Sequence, residues 1–156
     1  MPGPEDVRRP DRRPHLPGCC PTVRPAPLEV PVPRIVLTAA VLGTPDPRGL
    51  ARFYQRLLGW PLRDDAPEWA TLRPADGGTG LSFQLETDHV PPVWPPEPGA
   101  QQMQQHLDLE VDDLDAACAL AEEAGARPLG GHQEGGERVR VFADPAGHPF
   151  CLFTRG

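Results

Sequence analysis

The sequence predicts an α+β protein: a proline-rich tail over residues 1–33, expected to be flexible, then one domain over 34–156 built from two similar modules. Three observations predict this. Ten of the 23 prolines fall in the first 33 residues, and proline removes a backbone donor and blocks helices and interior strands. The remaining stretch, about 120 residues and so of ordinary domain size, alternates segments of strand patterning with segments of helical periodicity. Order and spacing then repeat, because Ala39 and Gln84 are 45 residues apart, as are His106 and Cys151.

The first module spans 34–87. Arg34 to Leu42 is an apolar run of strand length, broken by the turn-forming residues Gly43 to Arg48. Leu50, Phe53, Tyr54, Leu57 and Leu58 follow at helical spacing. Asp46 suits the N-cap, Pro47 the first turn and Gly59 the stop. Glu68–Leu72 and Leu81–Glu86 read as strands around the turn-rich Pro74–Gly78. A linker over 88–104 holds Pro91, Pro92, Pro95 and Pro96 around Trp94, too many prolines for an interior strand. The second module spans 105–156. His106 to Val111 alternates polar and apolar, as a half-buried strand does. Asp112 and Asp113 precede a helix over Leu114–Ala124, stopped by Gly125. A short strand is expected near Arg127–Leu129, another over Glu137–Phe142, a turn at Asp144–Gly147 and a last strand over Pro149–Phe153.

Composition removes several functions. All fifteen basic residues are arginine; five face four acids in the first 33 residues, and ten face eighteen in the rest. An acidic domain without a basic stripe is poorly suited to nucleic acid. No run has the length of a membrane span or the apolar stretch of a secretory signal, so a cytoplasmic protein is expected. The four cysteines, Cys19, Cys20, Cys118 and Cys151, form no CxxC pair, which speaks against a structural zinc site. No P-loop, dinucleotide glycine motif or nucleophile elbow is present.

Several segments together resemble a known superfamily. They are Pro45-Asp-Pro-Arg-Gly-Leu-Ala-Arg-Phe-Tyr54 with Leu58-Gly-Trp60, Val93-Trp-Pro-Pro96, His106 to Ala116, Ala124-Gly-Ala126, and Ala143-Asp-Pro-Ala-Gly-His-Pro-Phe-Cys-Leu-Phe153. With them, residues 34–156 resemble the vicinal-oxygen-chelate superfamily of glyoxalase I, bleomycin-resistance proteins and extradiol dioxygenases. Within it the chain is most similar to glyoxalase-like domain proteins of actinobacterial type. The resemblance implies two βαβββ modules forming a cupped, eight-stranded mixed sheet with helices on the outer face. In metal-holding members each module gives one ligand from its first strand and one from its last. Those places are taken here by Ala39, Gln84, His106 and Cys151. A methyl group cannot coordinate, and glutamine and cysteine replace two charged glutamates. No metal or other cofactor is therefore expected; were an ion held, it would be a divalent one such as zinc, on His106, Gln84 and Cys151.

In a cupped sheet backed by helices, Leu107, Leu109 and Val111 should face the helices, and His106, Asp108 and Glu110 the cavity. A carboxylate beside an imidazole suits proton transfer. His106 and Glu110 are thus the candidate acid–base pair, with Asp108 able to orient His106. Gln84, Cys151, Trp69 and Trp94 complete the expected ligand-binding set. Cys118 reads as packing. The expected function is metal-free binding of a small molecule, as in the glyoxalase/bleomycin-resistance type. One alternative is a lyase, isomerase or epimerase that takes a proton next to a carbonyl with His106 or Glu110 as base. Another is a structural or interaction domain with a vestigial pocket. A small-molecule ligand is the expected partner, and the resemblance also allows a homodimer.

Overall fold

The structure, a computed structural model, describes residues 33–134 and 137–155; side chains are described outside 132–137. The tail expected over 1–33, with His15, Cys19 and Cys20, lies outside the described residues apart from Pro33. The element order is β1 (Ala39–Thr44), α1 (Pro47–Leu58), β2 (Leu62–Asp65), β3 (Trp69–Leu72), β4 (Gly80–Leu85), β5 (Leu107–Glu110), α2 (Leu114–Ala124), β6 (Arg127–Glu134), β7 (Glu137–Ala143) and β8 (Pro149–Thr154). The eight strands form two four-stranded mixed sheets, ordered β1-β4-β3-β2 and β5-β8-β7-β6. In each, the first strand runs parallel to the last, and the other pairings are antiparallel. This is the α+β fold that the repeat predicts.

Both helices start and stop where their caps dictate. The Asp46 carboxylate accepts from the Gly49 amide, Pro47 fills the first turn, and Gly59 closes α1 at φ 68°. The Asp113 carboxylate accepts from the Asp115 and Ala116 amides, and Gly125 closes α2 at φ 113°. Side-chain acceptors at the first turn and a left-handed glycine at the end satisfy groups the helix leaves orphaned.

Three strands depart from the sequence reading. The first begins at Ala39, leaving Ile35, Val36 and Leu37 outside the sheet and exposed. Apolar composition does not extend the strand to these three, because pairing with β4 starts only at Ala39 and Gly80. Gly43 and Thr44, read as a break, continue β1 against Gln84 and Leu85. The strand near Arg127–Leu129 extends to Glu134, held by pairing with β7 as far as Glu137. His132 therefore lies in β6. Strand β2, Leu-Arg-Asp-Asp, carried no alternating pattern and is an exposed edge strand.

One core serves both modules. Phe53 and Tyr54 of α1 are fully buried, as are Phe83 of β4 and Phe150 of β8. Tyr54 stacks on Phe83 with centroids 5.7 Å apart and meets Phe150 edge-on at 6.2 Å. Phe53 meets Phe150 at 5.9 Å, and Phe150 stacks on Phe142 at 5.7 Å. The helices are also tied, since the Arg56 guanidinium donates to the Ala124 carbonyl at 2.7 Å, where the C-terminal end of α2 favours a cation. The aromatic faces thus seal the seam that neither sheet could cover alone.

Candidate functional site

Strand β5 presents Asp108 and Glu110 on its exposed side, with Leu107 and Leu109 half-buried on the other. His106, just ahead of the strand, continues the exposed side. Its Nε2 lies 3.2 Å from Asp108 Oδ1, with side chains 40% and 62% exposed respectively. Cys151 pairs with Asp108 across the parallel β5–β8 ladder. The ligand atoms of His106, Asp108 and Cys151 all fall within 4.8 Å of one another. A carboxylate therefore sits between an imidazole and a thiol on an open shelf of the second sheet.

Asp108 sets the character of its neighbour. Burial pushes the Cys151 thiol up to about 11, and the adjacent Asp108 charge and the thiol's hydrogen bond to that carboxylate add to the rise. Cys151 is thus a neutral thiol at physiological pH and a poor nucleophile. Replacing Asp108 with Asn removes the charge, so the thiolate fraction should rise. Alkylation of Cys151 by iodoacetamide at pH 8 should speed up about tenfold for each unit the pKa falls. Peptide mass spectrometry reads this out, and an unchanged rate would show that Asp108 does not control the thiol.

The other expected site residues are not members of this trio. Glu110 forms an ion pair with Arg155 at 3.3 Å. Gln84 is exposed and donates from Nε2 to Glu86 Oε1 at 2.8 Å. Trp69 lies opposite Gln84 in the β3–β4 pairing, half open, its indole N–H donating to Thr71 Oγ1 at 2.9 Å. Trp94 is half-buried in the linker, before a cis Trp94–Pro95 peptide. Cys118 is half-buried against the core, its thiol pushed up chiefly by burial.

Strand register changes one correspondence between the modules. Counted back from the caps Asp46 and Asp113, Ala39 and His106 occupy the same place. Across the sheets, Val41 opposes Ser82 and Gly43 opposes Gln84, whereas Asp108 opposes Cys151 and Glu110 opposes Phe153. The first-module counterpart of Cys151 is therefore Ser82, and Gln84 matches Phe153. Equal spacing along the chain does not become equal position across the sheet.

That geometry decides how well the chain fits the superfamily's metal centre. Ala39 offers a methyl group, Ser82 a buried hydroxyl, and Gln84 only a neutral amide oxygen. Cys151 holds its proton against Asp108. The close trio comes wholly from the second module, and its third donor is Asp108 rather than Gln84. A centre with two ligands from each module does not fit these residues.

A second constellation escaped the sequence reading. Buried Asp144, just after β7, accepts from the Tyr54 hydroxyl at 3.0 Å, from the Ala146 amide at 2.9 Å and from the His148 amide at 3.0 Å. His148 Nε2 meets the Gly43 carbonyl at 2.7 Å, and His89 Nε2 meets the Ala146 carbonyl at 2.8 Å. The two rings lie 4.9 Å apart. Gly147, at φ 90°, lets this turn close on Pro91, because a Cβ there would fall 2.5 Å from the Pro91 Cβ. A tyrosine on the apolar face of a helix was the one available signal, since a buried phenol needs a partner. Nothing local indicated a partner 90 residues away.

The glyoxalase-like domain family matches this sequence over residues 39–153, and the chain belongs to that family. Among solved structures it is similar to a glyoxalase/bleomycin resistance protein/dioxygenase family enzyme from Burkholderia phytofirmans PsJN. Identity there is 17%, TM-score 0.62, covering 77% of this chain and 98% of that one. A glyoxalase/dioxygenase from Nostoc punctiforme gives 19% identity and TM-score 0.59, covering 81% and 99%. A glyoxalase/bleomycin resistance protein/dioxygenase from Nocardioides gives 22% and 0.55, covering 80% and 86%. At these identities the likeness is one of fold. No curated protein matches the sequence. Among the described residues, no helix is long and apolar enough to cross a membrane.

Proposed function

We propose that this chain binds a small molecule in the manner of the glyoxalase/bleomycin-resistance type, without the metal centre of the superfamily. The convergence of His106, Asp108 and Cys151 on the open sheet face carries the reading. Asp108 has acceptor capacity beyond its contacts with His106 and Cys151, and an ionised carboxylate accepts strongly from a ligand N–H or O–H. Neutral Cys151 supplies a small polarisable wall. Half-open Trp69, beside Gln84, supplies aromatic surface and an amide from the first module. A modestly polar, partly aromatic ligand suits this set, and in this reading nothing reacts. A reducing cytoplasm fits the free thiols of Cys118 and Cys151.

A second reading rests on the 3.2 Å separation of His106 and Asp108. A carboxylate-backed imidazole can take a proton from a carbon acid, and Asp108 would then stabilise the imidazolium. Titration of a metabolite and antibiotic panel against tryptophan fluorescence separates the readings. Binding should quench the signal and raise the melting temperature. Asp108→Asn should weaken binding roughly tenfold or more, the worth of a charge-assisted hydrogen bond. Turnover that disappears in His106→Gln while binding persists would favour the enzyme. Silence across the panel would count against both.

A further inference from the structure

A cavity of about 230 Å³ opens between β1, the linker and the turn before β8. Its polar lining is His89, His148, Gln101, Gln102, Gln104 and Gln105, and its apolar lining includes Val41, Val90 and Pro92. His89, His148 and Gly43 from around the Asp144 turn line it, and His106, Asp108 and Cys151 do not. From this lining we infer a second binding pocket, one that takes an uncharged, hydrogen-bond-donating small molecule of about monosaccharide size.

Charge comes first. None of the residues lining the cavity is an acid or an arginine, so an ionic ligand would lose hydration and meet no counter-charge. Glu86 and Asp88 line the adjoining hollow, which shares His89, Val90 and Gln101. Their charges disfavour an anion at the approach.

The histidines supply direction. Each Nε2 meets a backbone carbonyl, at 2.8 Å for His89 and 2.7 Å for His148. A carbonyl only accepts, so a ring proton sits on each Nε2, and in the neutral form of such a ring Nδ1 is an acceptor. Among the described residues, neither Nδ1 has a hydrogen-bond partner, and neither is a buried unsatisfied atom. Both are therefore reachable by solvent. Two fixed acceptors with ring centroids 4.9 Å apart suit a ligand presenting two donors, such as a diol or a primary amide. The glutamine amides can both donate and accept around it, and the apolar residues cover its carbon face.

Gln can place its own Nε2–H near the position of the imidazole Nε2–H, so His→Gln keeps a donor for each carbonyl and removes the Nδ1 acceptor. The test records histidine side-chain ¹H–¹⁵N spectra of the full chain during titration with myo-inositol, glucose, glycerol and acetamide. At least one probe should shift the His89 and His148 signals saturably at millimolar concentration. In the His89→Gln, His148→Gln double variant its affinity should fall roughly tenfold. Asp108→Asn should leave that affinity unchanged, which separates this pocket from the shelf. Gluconate, the anionic counterpart, should bind more weakly than glucose. The inference is overturned if no probe moves the two histidines, if the folded double variant binds equally well, or if gluconate binds as tightly.

Discussion

Asp144→Ala should destabilise the fold by about 3 kcal/mol or more, since each buried donor left unpaired costs about 1–3 kcal/mol. Asp144 is only 4% exposed and accepts from three donors. The Tyr54 hydroxyl is the most expensive of these, because Tyr54 is fully buried and cannot turn to water. The Ala146 and His148 amides are partly buried and can recover some solvent. The melting temperature should fall by roughly 10 °C or more. Asp144→Asn should cost far less, about 1 kcal/mol, because its amide oxygen still accepts from both backbone amides. A loss from Asp144→Ala no larger than that from Asp144→Asn would show that the three contacts are not holding the turn.

The same group gives a pH dependence. Burial raises the Asp144 pKa, against the opposing effects of His148, the His148 and Ala146 amides, and Tyr54. A carboxyl whose folded pKa lies above its unfolded value favours folding while protonated, and that contribution fades as pH rises through the folded pKa. Relative to Asp144→Asn, which does not titrate, the natural protein should lose stability as pH rises from about 4 through the raised value, then level off. Urea unfolding of both proteins across that range checks the sign.

Phe150→Ala should cost about 3–5 kcal/mol, the usual price of emptying a fully buried phenylalanine site. Phe150 touches rings from α1 and β7, so the cavity would open at the seam between the modules. Because both modules share that core, unfolding of the natural protein should be a single transition by fluorescence and circular dichroism alike. Two separated transitions would mean that each module has its own core.

The elements legible in the sequence were those governed by local chemistry. Asp46, Pro47 and Gly59 bounded one helix, and Asp113 and Gly125 the other, because caps and left-handed glycines act within a few residues. Alternation also assigned the faces of β5: Leu107 and Leu109 are half-buried, while Asp108 and Glu110 are exposed. Properties set by pairing were not legible. Ile35–Leu37 read as strand because apolarity does not reveal whether a partner strand reaches that far. The correspondence of Gln84 with Cys151 failed by two residues, since register across a sheet is fixed by neighbours and not by spacing along the chain.

The site was legible to a similar depth. His106, Asp108 and Cys151 could be singled out and do converge, since two lie on one strand face and the third lies in the strand that pairs with it. That Asp108 would hold the Cys151 proton depended on cross-strand geometry. The network of Tyr54, Asp144, His148 and His89 depended on contacts spanning 57 to 105 residues, beyond any local signal.

The most direct test is a crystal structure of protein purified from its native extract without added ligand. The account predicts an organic molecule on the second sheet, hydrogen-bonded to Asp108 and in contact with His106 and Cys151. A metal ion coordinated by His106 and Cys151, or a co-purified molecule seated elsewhere with that shelf bare, would contradict it.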